Sequence, residues 1–284
     1  MSWSCEVVQE GKFVIENFVA QRVRPAFSYY GGKTTICRRI LQMSPPHTTY
    51  VEGFAGGLSV LLNKFRSDVE VVCDVNKEVI NFYHVLVATP EKVIEKVRQI
   101  KFGKMTFYAA RAAKDKGDEL TRAVNFLVRQ RMSFSGCGMT WAEGDGKEGG
   151  WETLPYDLAI AARRLQGVKI FLRSVFDVIP EYDSPETWFY LDPPYYQSTR
   201  VSPNVYTHEL PQMMHLRLLR MIRDLKGYVI LSGYSHHMYD KELPGWDRVE
   251  IDIAAFSSPL KGEKSRRTEV LWVKPCCLQT FSVV

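Results

Sequence analysis

The chain is poor in anything that would cross-link it covalently or anchor it in a bilayer. Its six cysteines, at 5, 37, 73, 137, 276 and 277, form no Cys-x-x-Cys pair, and its six histidines stand at no metal-ligand spacing from them. Neither a zinc site nor a disulfide framework is therefore expected, and no metal. No run approaches the ~18 apolar residues of a membrane span, and residues 1–14 lack the apolar stretch of a signal peptide. These absences predict a cytoplasmic protein away from membranes. Internal repeats and low-complexity tracts are missing too. What remains is 284 residues, 45% hydrophobic and 24% charged, which excludes a disordered or fibrous chain and is enough for one large α/β domain. A net charge of +5 permits an anionic partner without requiring one.

Short β-branched and aromatic runs at 49–52, 70–74, 168–172, 187–191, 227–232, 248–253 and 269–273 read as buried strands. Helical patterns at 33–43, 59–65 and 78–87 lie between the early ones. Such alternation predicts a mostly parallel sheet covered on both faces. From 91 to about 128 the spacing is helical with no convincing strand, so a helical insert interrupts the rhythm. Residues 92–131 carry 11 Lys and Arg against four acids, a surplus larger than the net charge of the whole chain. That run is either a solvated helical face or a surface for an anionic polymer. Residues 129–151 follow with six glycines and with Phe134, Trp141 and Trp151, which suggests a mobile loop or hairpin. Basic and aromatic groups there suit phosphate contact and base stacking, unless the aromatics tuck beneath the loop.

Four short motifs carry the chemistry. Asp192-Pro193-Pro194-Tyr195 follows an apolar run and so stands at the carboxyl end of a strand, where open α/β sheets bind ligands. Two prolines make the backbone rigid and remove its N–H donors, so the Asp192 carboxylate and the Pro193 carbonyl form a pair of acceptors matched to an exocyclic amino group. Tyr195 adds a flat face for a planar base. The second motif, 50–59, runs from a strand through Glu52-Gly53-Phe54-Ala55-Gly56-Gly57 into an apolar helix, and its glycines let a ligand approach the backbone. Its spacing is not the dinucleotide pattern, and no Gly-x-x-x-x-Gly-Lys-Ser/Thr loop is present, which disfavours a nicotinamide or ATP enzyme. Asp74, ending the next strand, is placed either to accept from ribose hydroxyls or to form an Asx turn with Asn76. Upstream, Phe27-Ser28-Tyr29-Tyr30-Gly31-Gly32-Lys33 is either an anion-holding helix start or a turn with a solvated lysine.

Taken together and in this order, the four motifs and the tail Arg267-Thr268-Glu269-Val270-Leu271-Trp272 resemble the Dam-like family of DNA adenine-N6 methyltransferases, over about 27–275. The resemblance implies a Rossmann-like S-adenosylmethionine-dependent methyltransferase sheet, 1–88 and 168–284, with an inserted, mainly helical DNA-recognition domain at 89–167. It implies that S-adenosylmethionine is held by Tyr29, Tyr30, Gly31, Gly32 and Lys33, by Glu52, Phe54, Ala55, Gly56 and Gly57, by Asp74 and Asp192, and by Phe176 and Asp177 near its adenine. Asp192, Pro193, Pro194 and Tyr195 become the catalytic motif. Arg129, Arg131, Phe134, Lys101, Lys104 and Arg122 become the contacts to double-stranded DNA, and the loop 197–207 closes over a flipped nucleotide. A monomer fits the asymmetric insert. Two positions depart from the pattern: Gly53 stands where the family usually has Pro, and Ser28 and Tyr29 stand where a basic residue and Trp often precede Gly-Gly-Lys. The acceptor pair would also serve cytosine N4 or an RNA adenine, and a DNA-binding protein without turnover is the remaining alternative.

Overall fold

The computed structural model describes residues 23–29, 31–143, 147–199, 208–254 and 266–275. Seven strands form one sheet: β1 Thr49–Glu52, β2 Val69–Asp74, β3 Lys169–Leu172, β4 Thr187–Leu191, β5 Tyr228–Gly233, β6 Asp247–Ala254 and β7 Arg266–Val273. Their spatial order is β3-β2-β1-β4-β5-β7-β6. The first five are mutually parallel, and β7 lies antiparallel between β5 and β6. The mostly parallel α/β sheet expected from the alternation is thus present. The strand β7 begins three residues earlier than its apolar run, because Arg266, Arg267 and Thr268 continue the ladder with β6.

Alternate strand residues feed two cores, as a period of two requires. Tyr50, Val72, Trp188, Tyr190, Ile230 and Leu271 point to one face, and Val51, Val71, Phe189, Leu191, Val229 and Trp272 to the other. All five residues of β4 are buried, which explains its unbroken apolar sequence. Helices α1 Cys37–Gln42, α2 Ser59–Asn63 and α3 Lys77–Ala88 cover the first face. Asn76 caps α3 by accepting from the Glu78 N–H at 3.0 Å, and Glu78 complements the helix dipole in the first turn.

Between α3 and β3 lie α4 Pro90–Gln99, α5 Lys104–Ala112, α6 Glu119–Met132, α7 Lys147–Glu152 and α8 Leu154–Leu165. Asp118 caps α6, and eight of its fourteen residues are buried. These helices share one apolar cluster with α3 and the sheet, with Phe126 packed 5.0 Å from Phe27 and 6.0 Å from Phe82 between ring centroids. Trp151 donates to the Ile100 carbonyl and packs on Phe102, and Trp141 packs on Phe102 and Phe107. Two of the three aromatics expected on an open glycine-rich arm are therefore folded under it. Residues 133–141 of that segment form a short loop closed by one antiparallel bridge, Ser133 to Trp141. On the second face lie α9 Val175–Val178, α10 Gln212–Arg223 and α11 His237–Glu242.

Candidate active site

The chain leaves β1 toward β2 and β3 on one side and returns to place β4 and β5 on the other, so β1 and β4 flank the switch point of the sheet. Their carboxyl ends open on a solvent-facing cleft, the place where open α/β sheets bind ligands. Tyr29, Gly32, Lys33, Glu52, Phe54, Ala55, Gly56, Gly57, Asp74, Phe176, Asp192 and Pro194 all line it. Fourteen residues were named for a cofactor; the structure brings eleven of them together here. Gly31 is exposed and does not line the cleft, though its carbonyl accepts from Lys33; Asp177 is exposed to solvent, and Tyr30 lies outside the described residues.

The turn after β1 explains its own sequence. A Cβ on Gly53 would stand 2.6 Å from Val175 Cγ2 and 2.7 Å from Leu191 Cδ2, so glycine is required by α9 and β4 packing onto the turn, not by an approaching ligand. Gly56 has φ +45, and its Cα faces the Tyr29 ring, which closes one wall of the cleft. Asp74 forms the Asx turn, Oδ1 accepting from the Asn76 N–H at 2.8 Å, while Oδ2 accepts from the Gly56 N–H at 3.4 Å. Burial pushes its carboxyl above the usual range despite those donors. Glu52, 3% exposed, accepts from the Tyr50 hydroxyl at 2.8 Å and the Leu61 N–H at 3.0 Å, and burial pushes its carboxyl up to about 8.

At the end of β4, Asp192 is held by Lys33, whose Nζ lies 2.6 Å from Asp192 Oδ2 and 2.5 Å from the Gly31 carbonyl. The same ammonium lies 3.3 Å from Glu269 Oε1 on β7 and 4.9 Å from the centroid of the Tyr195 ring. Burial alone would lower the Lys33 pKa, but Asp192 and Glu269 overcome it and hold the lysine well above its usual value. Burial raises both carboxyls, with Lys33 acting against it. Glu269 received no role in the sequence reading. The signal available was chemical: a lysine 4% exposed needs carboxylates, and Glu269 is the one acid in the last apolar strand.

Tyr195 differs from expectation. It is 4% exposed, donates its hydroxyl to Glu269 and meets Tyr234 edge-on at 4.7 Å, so it offers no open face to the cleft. Pro193 is buried, whereas Pro194 lines the cleft. Of the residues named for DNA, Arg129 is 5% exposed and ion-paired to Glu78, which makes it an internal tie between α6 and α3 and removes it from the surface. Arg131 is half-buried and donates to the Gly150 carbonyl, and Arg122 donates to the Gly117 carbonyl at 2.6 Å. Phe134, 51% exposed, and Lys101 remain on the surface, as does Lys104, 2.8 Å from Glu143. The loop 197–207 lies outside the described residues from 200 onward. Among the described residues no group of three or more His, Cys, Asp or Glu is placed to hold a metal, and no helix is long and apolar enough to cross a membrane.

A doubly wound sheet with a cleft at its switch point, lined by Asp192 and Pro194 of the Asp-Pro-Pro motif, is the arrangement of an α/β enzyme that binds its ligand at the carboxyl ends of the strands. The chain belongs to the family of D12 class N6 adenine-specific DNA methyltransferases, whose profile matches residues 29–243. It is similar to the Type II methyltransferase M.MjaIII of Methanocaldococcus jannaschii, at 23% identity over 284 aligned positions, covering 86% of this chain and 96% of that one. It is also similar to the DNA adenine methylase of Vibrio cholerae, at 26% identity over 187 positions, covering 62% of this chain and 66% of that one. The protein is an adenine-specific DNA methyltransferase.

Proposed function

We propose that the cleft holds S-adenosylmethionine and that Asp192 with the Pro193 carbonyl receives the N6 amino group of an adenine turned out of double-stranded DNA. When bound, the cofactor supplies an activated methyl group on a cationic sulfur. The residues present fit it: Asp74 and Asp192 offer carboxylates, Asp74 stands where a ribose diol donates, and Tyr29, Phe54 and Phe176 offer aromatic faces to a purine and a cation. Asp192 and Pro193 accept from both N–H groups, orient the nitrogen lone pair toward the cleft and favour its pyramidal form, bonds that count toward rate because they strengthen in the transition state. Turning the base out of the stack costs on the order of a few kcal/mol. Phosphate contacts from the exposed cations of the helical stretch, Lys101 and Lys104 among them, offset this, and Phe134 lies on the same stretch. The recognition role thus falls to residues 89–167, and the catalytic role to the sheet on either side.

The observation that carries this reading is that Asp192 and Asp74, from strands on opposite sides of the switch point, line one cleft. Titration of the protein with S-adenosylmethionine tests it. Saturable binding is expected, weakened about tenfold by Asp74→Asn through loss of a charged acceptor. No binding, or binding indifferent to Asp74, would sink the assignment.

A further inference from the structure

Glu269 sits on β7, the strand that enters the sheet antiparallel between β5 and β6, and its carboxylate reaches the site from the opposite side to Lys33. The resulting cluster holds one cation and two carboxylates, with side-chain exposures of 4% for Lys33, 6% for Glu269 and 20% for Asp192. Lys33 Nζ has three N–H donors, and the Gly31 carbonyl, Asp192 Oδ2 and Glu269 Oε1 are grouped around it. Glu269 also accepts from the Tyr195 hydroxyl, and among the described residues neither carboxylate has a second cation within ion-pair distance. Two carboxyl groups thus share one ammonium, and the most exposed member of the cluster is the acceptor that lines the cleft.

We propose that Glu269 is a positioning residue for methyl transfer, dividing the charge of Lys33 with Asp192 so that Asp192 remains a net anionic acceptor for the adenine amino group. This rests on the reading of the cleft given above. In the reaction the N6 lone pair forms the new N–C bond while the C–S electron pair leaves with sulfur. The positive charge passes from sulfur to nitrogen, and one N6 proton is afterwards released to water. An Asp192 fully neutralised by Lys33 would greet that arriving charge poorly. With Lys33 shared, the attraction grows as the charge grows, which stabilises the transition state more than the ground state.

Two variants separate charge from shape. E269Q keeps the outline and the Tyr195 bond but loses the charge, whereas E269D keeps the charge and shortens the reach. Single-turnover transfer to a duplex oligonucleotide, donor affinity by titration, duplex affinity and thermal unfolding are measured for both. We expect E269Q to transfer about tenfold more slowly than wild type and E269D within about threefold, with both affinities within about twofold. E269D slower than E269Q would show that shape matters and charge does not, and overturns the proposal. E269Q at the wild-type rate overturns it as well. Loss of the fold in E269Q, alone or together with E269D, assigns the carboxylate to folding and likewise overturns it. Wild-type protein that fails to bind the donor sinks the reading of the cleft instead, so the two failures are distinguishable.

Discussion

Two buried charge clusters lie at opposite edges of the same sheet and are built as opposites. At the amino edge, Glu70 at the start of β2 is gripped by Lys64 at 2.9 Å and by Arg164 of α8 through two bonds of 2.6 and 2.7 Å. Lys64 also donates to the Phe65 carbonyl and to Ser67 Oγ at 2.7 Å. Cations outnumber acids there, and burial lowers the Lys64 pKa to about 8 against the pull of Glu70. At the carboxyl edge the ratio is reversed, with Lys33 between two acids and held well above its usual pKa. The amino-edge acid is enclosed on both oxygens, whereas Asp192 keeps one-fifth of its side-chain surface and faces the cleft. Burial alone does not distinguish a working charge cluster from a structural clamp. An excess of acceptors with one open side does.

The widest gap between the two edges is expected from Glu70→Ala. It strands two buried cations and lowers the unfolding free energy by about 3–5 kcal/mol in denaturant melts, with the transfer rate per folded molecule unchanged. A loss below about 1 kcal/mol would mean that the amino-edge cluster clamps nothing. Next, Asp192→Asn is expected to slow single-turnover transfer by about 10²–10³-fold while donor affinity stays within a few-fold. Transfer within about tenfold of wild type would erase the contrast between the edges. A third expectation concerns Glu52, which is buried and feels both Asp192 and Lys64. Its folded pKa is raised to about 8, so the folded state keeps a proton that the unfolded chain has already released. Stability should therefore fall as pH rises from the ordinary glutamate range to about 8, by at most ~1.4 kcal/mol per pH unit. Melting temperatures of wild type and Glu52→Gln across that window should diverge, and parallel curves would show that Glu52 is already ionised.

All seven strands were legible because each carries a β-branched or aromatic run, although β3 and β6, at the two edges of the sheet, are not buried as expected, and the helices between the early ones because their apolar residues recur at helical spacing. The place of β7 was not legible, since nothing local records that the last strand enters between β5 and β6. The same blindness hid Glu269, whose partner Lys33 lies 236 positions away in the chain. Eleven cleft-lining residues were readable because all but Phe176, on α9, sit in three contiguous motifs or at a strand end, where topology gathers them. The DNA face was read less well, because counting charge along a segment cannot tell an outward cation from an inward one. A finer signal was present for Arg129: Phe126 and Met132, three residues to either side on α6, are both buried and set its face. Tyr195 was misread for a related reason. A motif tells which ring is present, but its neighbours Glu269 and Tyr234 come from β7 and the end of β5.

The helical stretch between α3 and β3 has no seam of its own, since Phe126 packs directly on Phe27 and Phe82. It cannot be lifted out as a cassette and exchanged between relatives without tearing open the centre of the molecule. With the recognition role proposed for this stretch, new target preferences would be written on its outer rim, at positions such as Lys101, Lys104 and Phe134, while the layer beneath stays as it is.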